Sequence, residues 1–372
     1  MGFIGPAHVE ALRRVPGVEV VAISTRQAER GRALAQRYGI PKVYASHEAL
    51  IADPSIDVVH ICTGNREHVP LAKQAIAAGK HVICEKPLAI SADEAREVAR
   101  LADDARGVYA VNYQYRYYAM VQQARALVSR GEIGRIWLVH GRYVQDWLML
   151  ATDYNWRVDP PESGPSRAFA DIGSHWCDLV EHVTGHRIRR LRALTRIVIP
   201  ERTVVHRAAF ELSAQETSAG QRVAVQTEDL ALVQFETDGG AVGSLVVSQV
   251  SAGHKNDLFF ELDGERGSLA WSQESPEELW LGRRDAPSQR MTKETSQMEE
   301  PARALARFPA GHPEGYPDAL RNLFQLAYDR VRDLTQPIRY PTFSDGLRSL
   351  HLVEAVVRSA RADGAWVEVP TV

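Results

Sequence analysis

The sequence predicts an α/β domain built on a parallel sheet, followed by an α+β domain with a large, mainly antiparallel open sheet. Two observations carry this. Up to about residue 114, short runs rich in valine and isoleucine alternate with helical stretches. Strands alternating with helices of this length imply a parallel sheet covered on both faces. Beyond residue 115, strand-like runs follow one another across turn signals, which is the pattern of an antiparallel sheet. The expected domains are residues 1–114 and 115–372.

In the first domain, residues 18–24, 56–63, 81–85 and 107–113 read as strands, with a shorter candidate at 43–45. Residues 28–38 and 67–78 read as helices that stop at Gly39 and Gly79, residues suited to the position just past a helix end. A short helix is expected at 47–52. Ser91 with Glu94 three residues later forms a capping box opening another helix. In the second domain a helix at 118–129 leads into a strand at 133–145, and a further helix starts near Ser174. Residues 187–281 are mostly strand. Asp238-Gly239 marks a hairpin, and Asp263-Gly264 with Gly267 marks another turn. Residues 285–315 read as a long loop, residues 316–335 and 344–362 as helices, and 366–369 as a last strand.

The formal net charge of -3 gives no electrostatic reason to expect nucleic acid or an anionic membrane as partner. No apolar run is long enough to span a bilayer, and no signal-peptide pattern opens the chain. The three cysteines, Cys62, Cys84 and Cys177, lack CxxC spacing, which argues against a disulfide framework or a zinc site. A reducing cytoplasm fits this usage.

The chain begins Met-Gly2-Phe3-Ile4-Gly5, with the spacing of the last two glycines of GxGxxG. In that fingerprint glycines let backbone approach a pyrophosphate at a helix N-terminus. A helical segment and a strand follow, ending in Ser24-Thr25-Arg26 about 20 residues on, where such a fold places its ribose contact. An acidic residue there would indicate NAD; Ser, Thr and Arg leave room for a 2′-phosphate, so NAD and NADP both stand. The expectation is a Rossmann dinucleotide-binding domain whose first strand and first glycine are missing from the sequence. Either the natural chain starts upstream of Met1 or this form binds dinucleotide poorly. Thr63-Gly64-Asn65 follows a strand and precedes a helix, another position where ligands sit in open α/β sheets, with His68 close behind.

Glu85-Lys86-Pro87 ends a strand. A lysine at such an end points into the crevice where a nicotinamide would lie, and a cationic ring with partial desolvation lowers a lysine's pKa toward a working range. A solvated surface lysine before a turn proline is the competing reading. The second piece is Asp171-Ile-Gly-Ser-His175-Trp-Cys-Asp178. On one helix, Asp171, His175, Asp178 and His182 share a face, while Trp176, Leu179, Val180 and Val183 form the apolar back. A carboxylate beside an imidazole orients it and raises its basicity. Metal ligation by Asp171 and His175 competes; no metal is expected.

Taken together, Gly2-Phe-Ile-Gly5, Glu85-Lys86-Pro87, Arg116 after Gln114-Tyr115, Gly131-Glu-Ile-Gly134 and the Asp171–Asp178 segment resemble the Gfo/Idh/MocA oxidoreductases over essentially the whole chain. The resemblance implies proton transfer by Lys86 and His175, with Asp171 holding substrate and histidine, and homo-oligomers, dimers or tetramers, formed through the C-terminal sheet. It implies cofactor contacts from the Gly2–Gly5 segment, Ser24, Thr25, Arg26, Thr63, Asn65, His68, Glu85, Lys86, Gln114, Trp156 and Arg157. Gln145-Asp146-Trp147, Asn155-Trp156-Arg157, the Gly311–Tyr316 segment and Tyr340-Pro-Thr-Phe343 look like the branch acting on pyranose sugars. By that resemblance Tyr115, Arg116, Gln145, Trp147 and His312 join Asp171 and His175 as substrate contacts. Sugar hydroxyls want such polar partners, and the apolar ring face stacks on tryptophan. The expected activity is NAD(P)-dependent oxidation of a sugar or polyol hydroxyl. An inositol-type polyol dehydrogenase, a non-redox enzyme that retains its cofactor, and a non-catalytic dinucleotide-binding regulator are the alternatives.

Overall fold

The computed structural model describes residues 4–204 and 220–372. The chain forms two compact units: residues 1–114 with 320–350, and residues 115–319 with 351–372.

The first unit carries five short parallel strands: β1 (Ala22–Ser24), β2 (Lys42–Tyr44), β3 (Val58–Ile61), β4 (His81–Cys84) and β5 (Tyr109–Val111). They fall into two sheets among the described residues, β1 with β2, and β3-β4-β5 in that order. Local chemistry sets the helix limits. The Ser46 hydroxyl accepts from Ala49 N (3.1 Å) and the Ser91 hydroxyl from Glu94 N (3.3 Å), satisfying donors that the first turn leaves over. Gly39 and Gly79 end their helices at φ 54° and 71°, where a side chain would strain the backbone. The core joins Val82, Cys84, Leu88, Ala95 and Val98 to Phe343, Leu347 and Leu350 from late in the chain. Val111 N donates to Pro341 O at 2.8 Å and Ala110 bridges Thr342, which ties residues 320–350 to this unit. The sequence-derived partition put those residues with the second domain. Gly346, inside a helix, lies so close to its neighbours that a Cβ would meet Leu88 at 2.8 Å and Val111 at 3.0 Å.

The second unit is built on a nine-stranded sheet. Its strands are β6 (Ile136–Val144), β7 (Ile188–Arg196), β10 (Leu230–Thr237), β11 (Val242–Ser248), β12 (Asp257–Gly264), β13 (Ser268–Ser272), β14 (Glu278–Gly282), β15 (Gln289–Thr292) and β16 (Val367–Glu368). A separate hairpin pairs β8 (Glu201–Thr203) with β9 (Arg222–Ala224). The order is β15-β14-β13-β12-β6-β11-β10-β7-β16. Hairpins form at Asp238-Gly239 and Asp263–Gly267 as the turn residues require. The sheet is mixed: β6 and β11 run parallel, because β6 inserts between strands that follow it by some hundred residues. The stretch read as a loop at 285–315 holds β15 and the helix Glu300–Arg303; β15 gains its ladder from β14 rather than from any pattern of its own.

One sheet face packs on the helices Ala119–Ser129 and Ser174–Thr184 through Val139, Val233, Phe235, Leu245, Phe260 and Trp176. The Trp176 indole donates to Phe259 O at 2.8 Å across β6 at Gly141, where a Cβ would meet Phe259 O at 2.1 Å and the indole nitrogen at 2.7 Å. Glycine there lets the helix carrying His175 approach the sheet. No helix of the described residues is long and apolar enough to cross a membrane.

Candidate active site

In the first unit the residues expected to hold a dinucleotide gather at the C-terminal ends of parallel strands. β1 ends on Ser24, and Thr63 follows β3. The side-chain oxygens of both are buried without a hydrogen-bond partner among the described residues. Buried polar atoms are rarely left so, and a ligand's hydroxyl or phosphate oxygens would satisfy them, so the donor set fits a dinucleotide. Thr25 Oγ1 donates to Gln27 O (2.7 Å), and Arg26 is exposed. Ile4 opens the helix Ile4–Leu12 with Gly5 buried in its first turn; Gly2 and Phe3 lie outside the described residues. Asn65 begins a short turn ahead of the helix His68–Ala77. His68 is buried with Nδ1 2.7 Å from Pro87 O and Nε2 3.2 Å from Thr63 O. Burial pushes its pKa down; a neutral ring donates only once, and the shorter contact to Pro87 marks the donor. Its two nitrogens face backbone rather than open space, and the Nδ1 hydrogen bond ties this helix to the loop after β4.

Glu85 sits deeper still. Its carboxylate takes His8 Nε2 at 2.7 Å and Asn112 Nδ2 at 2.5 Å. His8 Nδ1 meets His60 Nδ1 at 2.9 Å, and His60 Nε2 meets the Tyr328 hydroxyl at 3.1 Å. Burial by itself would depress the His8 pKa, but neighbouring Cys62 and Glu85 outweigh it and hold it up to about 10. Burial and the charge on His8 keep His60 well below its ordinary value, hence neutral. Lys86, half-buried, follows this carboxylate and is joined to Pro87 by a cis peptide. Gln114 is buried at the start of a short 3-10 turn.

In the second unit Asp171 and His175 lie on consecutive helical segments, not on one regular helix. Residues Phe169–Gly173 form a π-helical turn that runs into the α-helix Ser174–Thr184. Its wider spacing shifts Asp171 from the row expected for 171, 175, 178 and 182, and such turns recur at functional sites. The rest of that row has other partners. Asp178 receives two hydrogen bonds from Arg116, through Nε at 2.8 Å and through Nη2. His182 is bonded by Gln122 and Arg125, and burial with the nearby arginines keeps it well below its ordinary pKa. Arg116, expected at the substrate, thus has its guanidinium in a buried ion pair.

The Asp171 carboxylate receives Arg157 Nε at 3.2 Å and Gln249 Nε2 at 3.0 Å. The Arg157 guanidinium lies over Trp156, 4.6 Å from the ring centre, and 6.0 Å from that of Trp147. The His175 ring stands edge-on to Tyr115 at 4.9 Å. Tyr115 Oη is 2.8 Å from Tyr143 Oη and receives Asn256 Nδ2 at 3.0 Å. Asn256 Oδ1 accepts from Tyr143 Oη and from Gln145 Nε2, both at 2.7 Å, and Gln145 Oε1 accepts from the Trp147 indole at 2.8 Å. Tyr115, Gln145, Trp147, Asp171, His175, Trp156 and Arg157 therefore form one neighbourhood. His312 is exposed, its ring bonded within its own loop to Ala310 O at 3.3 Å, and no hydrogen bond links it to that neighbourhood among the described residues. Tyr143, Gln249 and Asn256 escaped the sequence reading. Gln249 and Asn256 stand beside the ends of β11 and β12 and carry no motif, and Tyr143 looks like one more aromatic strand residue.

Residues 1–113 match the family described as the oxidoreductase family with an NAD-binding Rossmann fold, and residues 121–270 match the GFO/IDH/MocA C-terminal domain. The chain is 29% identical over 385 residues to levoglucosan dehydrogenase of Pseudarthrobacter phenanthrenivorans, spanning 100% of this chain and 97% of the relative. A structure of levoglucosan dehydrogenase in complex with NADH and L-sorbose superposes with a TM-score of 0.89 at 28% identity, covering 100% of this chain and 97% of the other. An inositol dehydrogenase homologue from Azotobacter vinelandii, complexed with NADH and myo-inositol, gives 0.85 at 28% identity, covering 99% and 94%.

Proposed function

The chain belongs to the Gfo/Idh/MocA family of NAD-dependent sugar and polyol oxidoreductases, and from that premise we propose that it oxidises a ring hydroxyl of a pyranose or related glycoside. The observation carrying the reading is the polar wall of the second unit, where neutral hydroxyl and amide groups at Tyr115, Gln145 and Asn256 stand beside Trp147, His175 and a carboxylate at Asp171. Neutral hydrogen-bonding groups beside an indole suit a sugar better than an acid or a phosphate.

Lys86 and His175 are the proton-transfer groups in this reading. Asp171, which accepts hydrogen bonds from Arg157 and Gln249, orients the substrate hydroxyl and favours the imidazolium that proton uptake creates. The nicotinamide, when bound, supplies the hydride acceptor. Ser24, Thr63 and the first turn at Gly5 hold the dinucleotide. With no carboxylate at Ser24-Thr25-Arg26 and an exposed Arg26 guanidinium, we propose that NADP is accepted alongside NAD; Arg26→Glu then shifts the preference toward NAD. The outer sheet face is the proposed homo-oligomer contact, supported by the exposed Leu194, Leu232 and Val246, which are cross-strand neighbours. Light scattering on Val246→Glu tests it, and an unchanged mass would remove it.

The primary test incubates the enzyme with NAD+ or NADP+ and a panel of pyranoses, anhydrosugars, glycosides and inositols, following reduced nicotinamide. A pyranoside should give the highest kcat/KM. Preference for an inositol would move the assignment to the polyol branch. An absorbance burst without accumulation would identify a cofactor-retaining non-redox enzyme, and silence throughout would overturn the dehydrogenase reading.

A further inference from the structure

We infer that Asn256 is a specificity-determining residue, because it fixes which groups of the second unit's polar wall donate hydrogen bonds and which accept them. The inference rests on the sugar-dehydrogenase reading and deepens it. Its starting point is Trp147. An indole N–H can only donate, so the atom of Gln145 that it meets at 2.8 Å is Oε1. The Gln145 amide therefore turns Nε2 toward Asn256, and the atom of Asn256 that receives it at 2.7 Å is Oδ1. Asn256 Nδ2 then points at Tyr115 Oη, 3.0 Å away, and donates to it.

The two tyrosines follow. Tyr143 Oη lies 2.7 Å from Asn256 Oδ1, a pure acceptor, so Tyr143 gives its proton there. Having done so it can only accept from Tyr115, 2.8 Å away. The result is a closed ring in which every hydrogen bond runs the same way, Tyr115 to Tyr143 to Asn256 and back to Tyr115. Burial pushes the pKa of both tyrosines up, so the ring keeps its protons across the neutral range. One donor-only indole, relayed by Asn256, sets four groups: Gln145, Asn256, Tyr143 and Tyr115.

The consequence is chemical. The Tyr115 proton is committed to Tyr143, so toward a ligand Tyr115 Oη offers a lone pair and asks for an O–H. Gln145 keeps one N–H for a ligand oxygen, and its amide cannot turn over without setting Nε2 against the indole N–H. The wall therefore demands a ligand hydroxyl that donates at one position and a ligand oxygen that accepts at another. A ligand that leaves such a built polar contact unmet loses the contact and leaves a desolvated group without its partner.

The test compares the wild type, Asn256→Leu and Tyr143→Phe on a parent sugar and on analogues in which one hydroxyl at a time becomes hydrogen or fluorine. Fluorine accepts weakly and donates nothing. In the wild type one position should show equal, roughly tenfold penalties in kcat/KM for hydrogen and fluorine, about the scale of one unmet polar group. Both variants free the Tyr115 proton, so at that position the fluoro analogue should become better than the deoxy analogue by about threefold. Unchanged fluoro-to-deoxy ratios at every position in both variants would overturn the inference. If Asn256→Leu does not fold, Tyr143→Phe decides by itself. A wild type that oxidises no member of the panel defeats the dehydrogenase reading, an outcome visible before any variant is compared.

Discussion

The two units each hold a network of buried polar groups, and the two are built on opposite principles. In the first unit Glu85, His8, His60 and Tyr328 form a chain with a charge pair at one end, and Phe324 packs edge-on against both imidazoles. In the second unit Trp147, Gln145, Asn256, Tyr115 and Tyr143 form an array with no formal charge, whose Gln145 and Asn256 are only half-buried. A buried charge pair is strongly coupled and tolerates no missing partner, which suits an element that must hold the strand end before Lys86 in one place. A neutral array with open valences keeps capacity for a ligand. The two networks thus rest on different physics and should fail differently.

The largest difference is expected in turnover. Lys86→Ala and His175→Ala should each lower kcat by roughly 10²–10⁴-fold, the usual range for general acid–base residues, with cofactor affinity moving less. Wild-type kcat in either variant would remove that residue from the mechanism. Next comes stability of the charged network. Glu85→Ala leaves the His8 imidazolium buried without its carboxylate and should destabilise the protein by about 3–5 kcal/mol, read from urea melts. A loss below about 1 kcal/mol would mean that the pair is not the anchor described.

The pH dependence sharpens the contrast. The folded-state pKa of His8 is raised from 6.5 to about 10, so the folded protein holds a proton that the unfolded chain releases above 6.5. Stability from this proton is fully present below pH 6.5 and is lost progressively as pH rises to about 10. The stability gap between the wild type and His8→Gln should therefore shrink across that window. A constant gap from pH 6.5 to 10 would show that His8 is neutral when folded.

How much of this was legible follows from range. The Ser91–Glu94 cap, the glycine helix ends and the Asp238-Gly239 hairpin are settled by residues a few positions apart, and each formed where the pattern put it. Asp171 and His175 were also visible, being four residues apart with an apolar back. The wider π turn was not, and it shifts Asp171 from the row; Asp178 and His182 are taken up by Arg116, Gln122 and Arg125, some sixty residues away. His8 and Glu85 are 77 residues apart, and Asn256 is 141 from Tyr115. Nothing local marks such pairs: His8 lies on the first helix and Glu85 directly after β4, while Asn256 precedes β12, whose Leu258 pairs with Tyr143 of β6. Of the residues read as cofactor contacts, Glu85 has its Oε1 bonded by His8 and Asn112, and the His68 nitrogens face the backbone carbonyls of Pro87 and Thr63.

The smallest effect is the most discriminating. Tyr143→Phe removes one hydroxyl from the neutral ring, leaving Tyr115 without its acceptor and Asn256 Oδ1 with one donor instead of two. The ring closes no charge pair, so the cost should be about 1 kcal/mol, the net value of an ordinary hydrogen bond. Burial raises both tyrosines above 10. Stability from their retained protons is present below pH 10 and lost only above it, so the Tyr143→Phe deficit should stay flat from pH 6.5 to 10, where the His8→Gln gap closes. A Tyr143→Phe deficit that follows pH within that window would mean that the ring shares a titrating group, and the division between a charged anchor and a neutral recognition wall would fall.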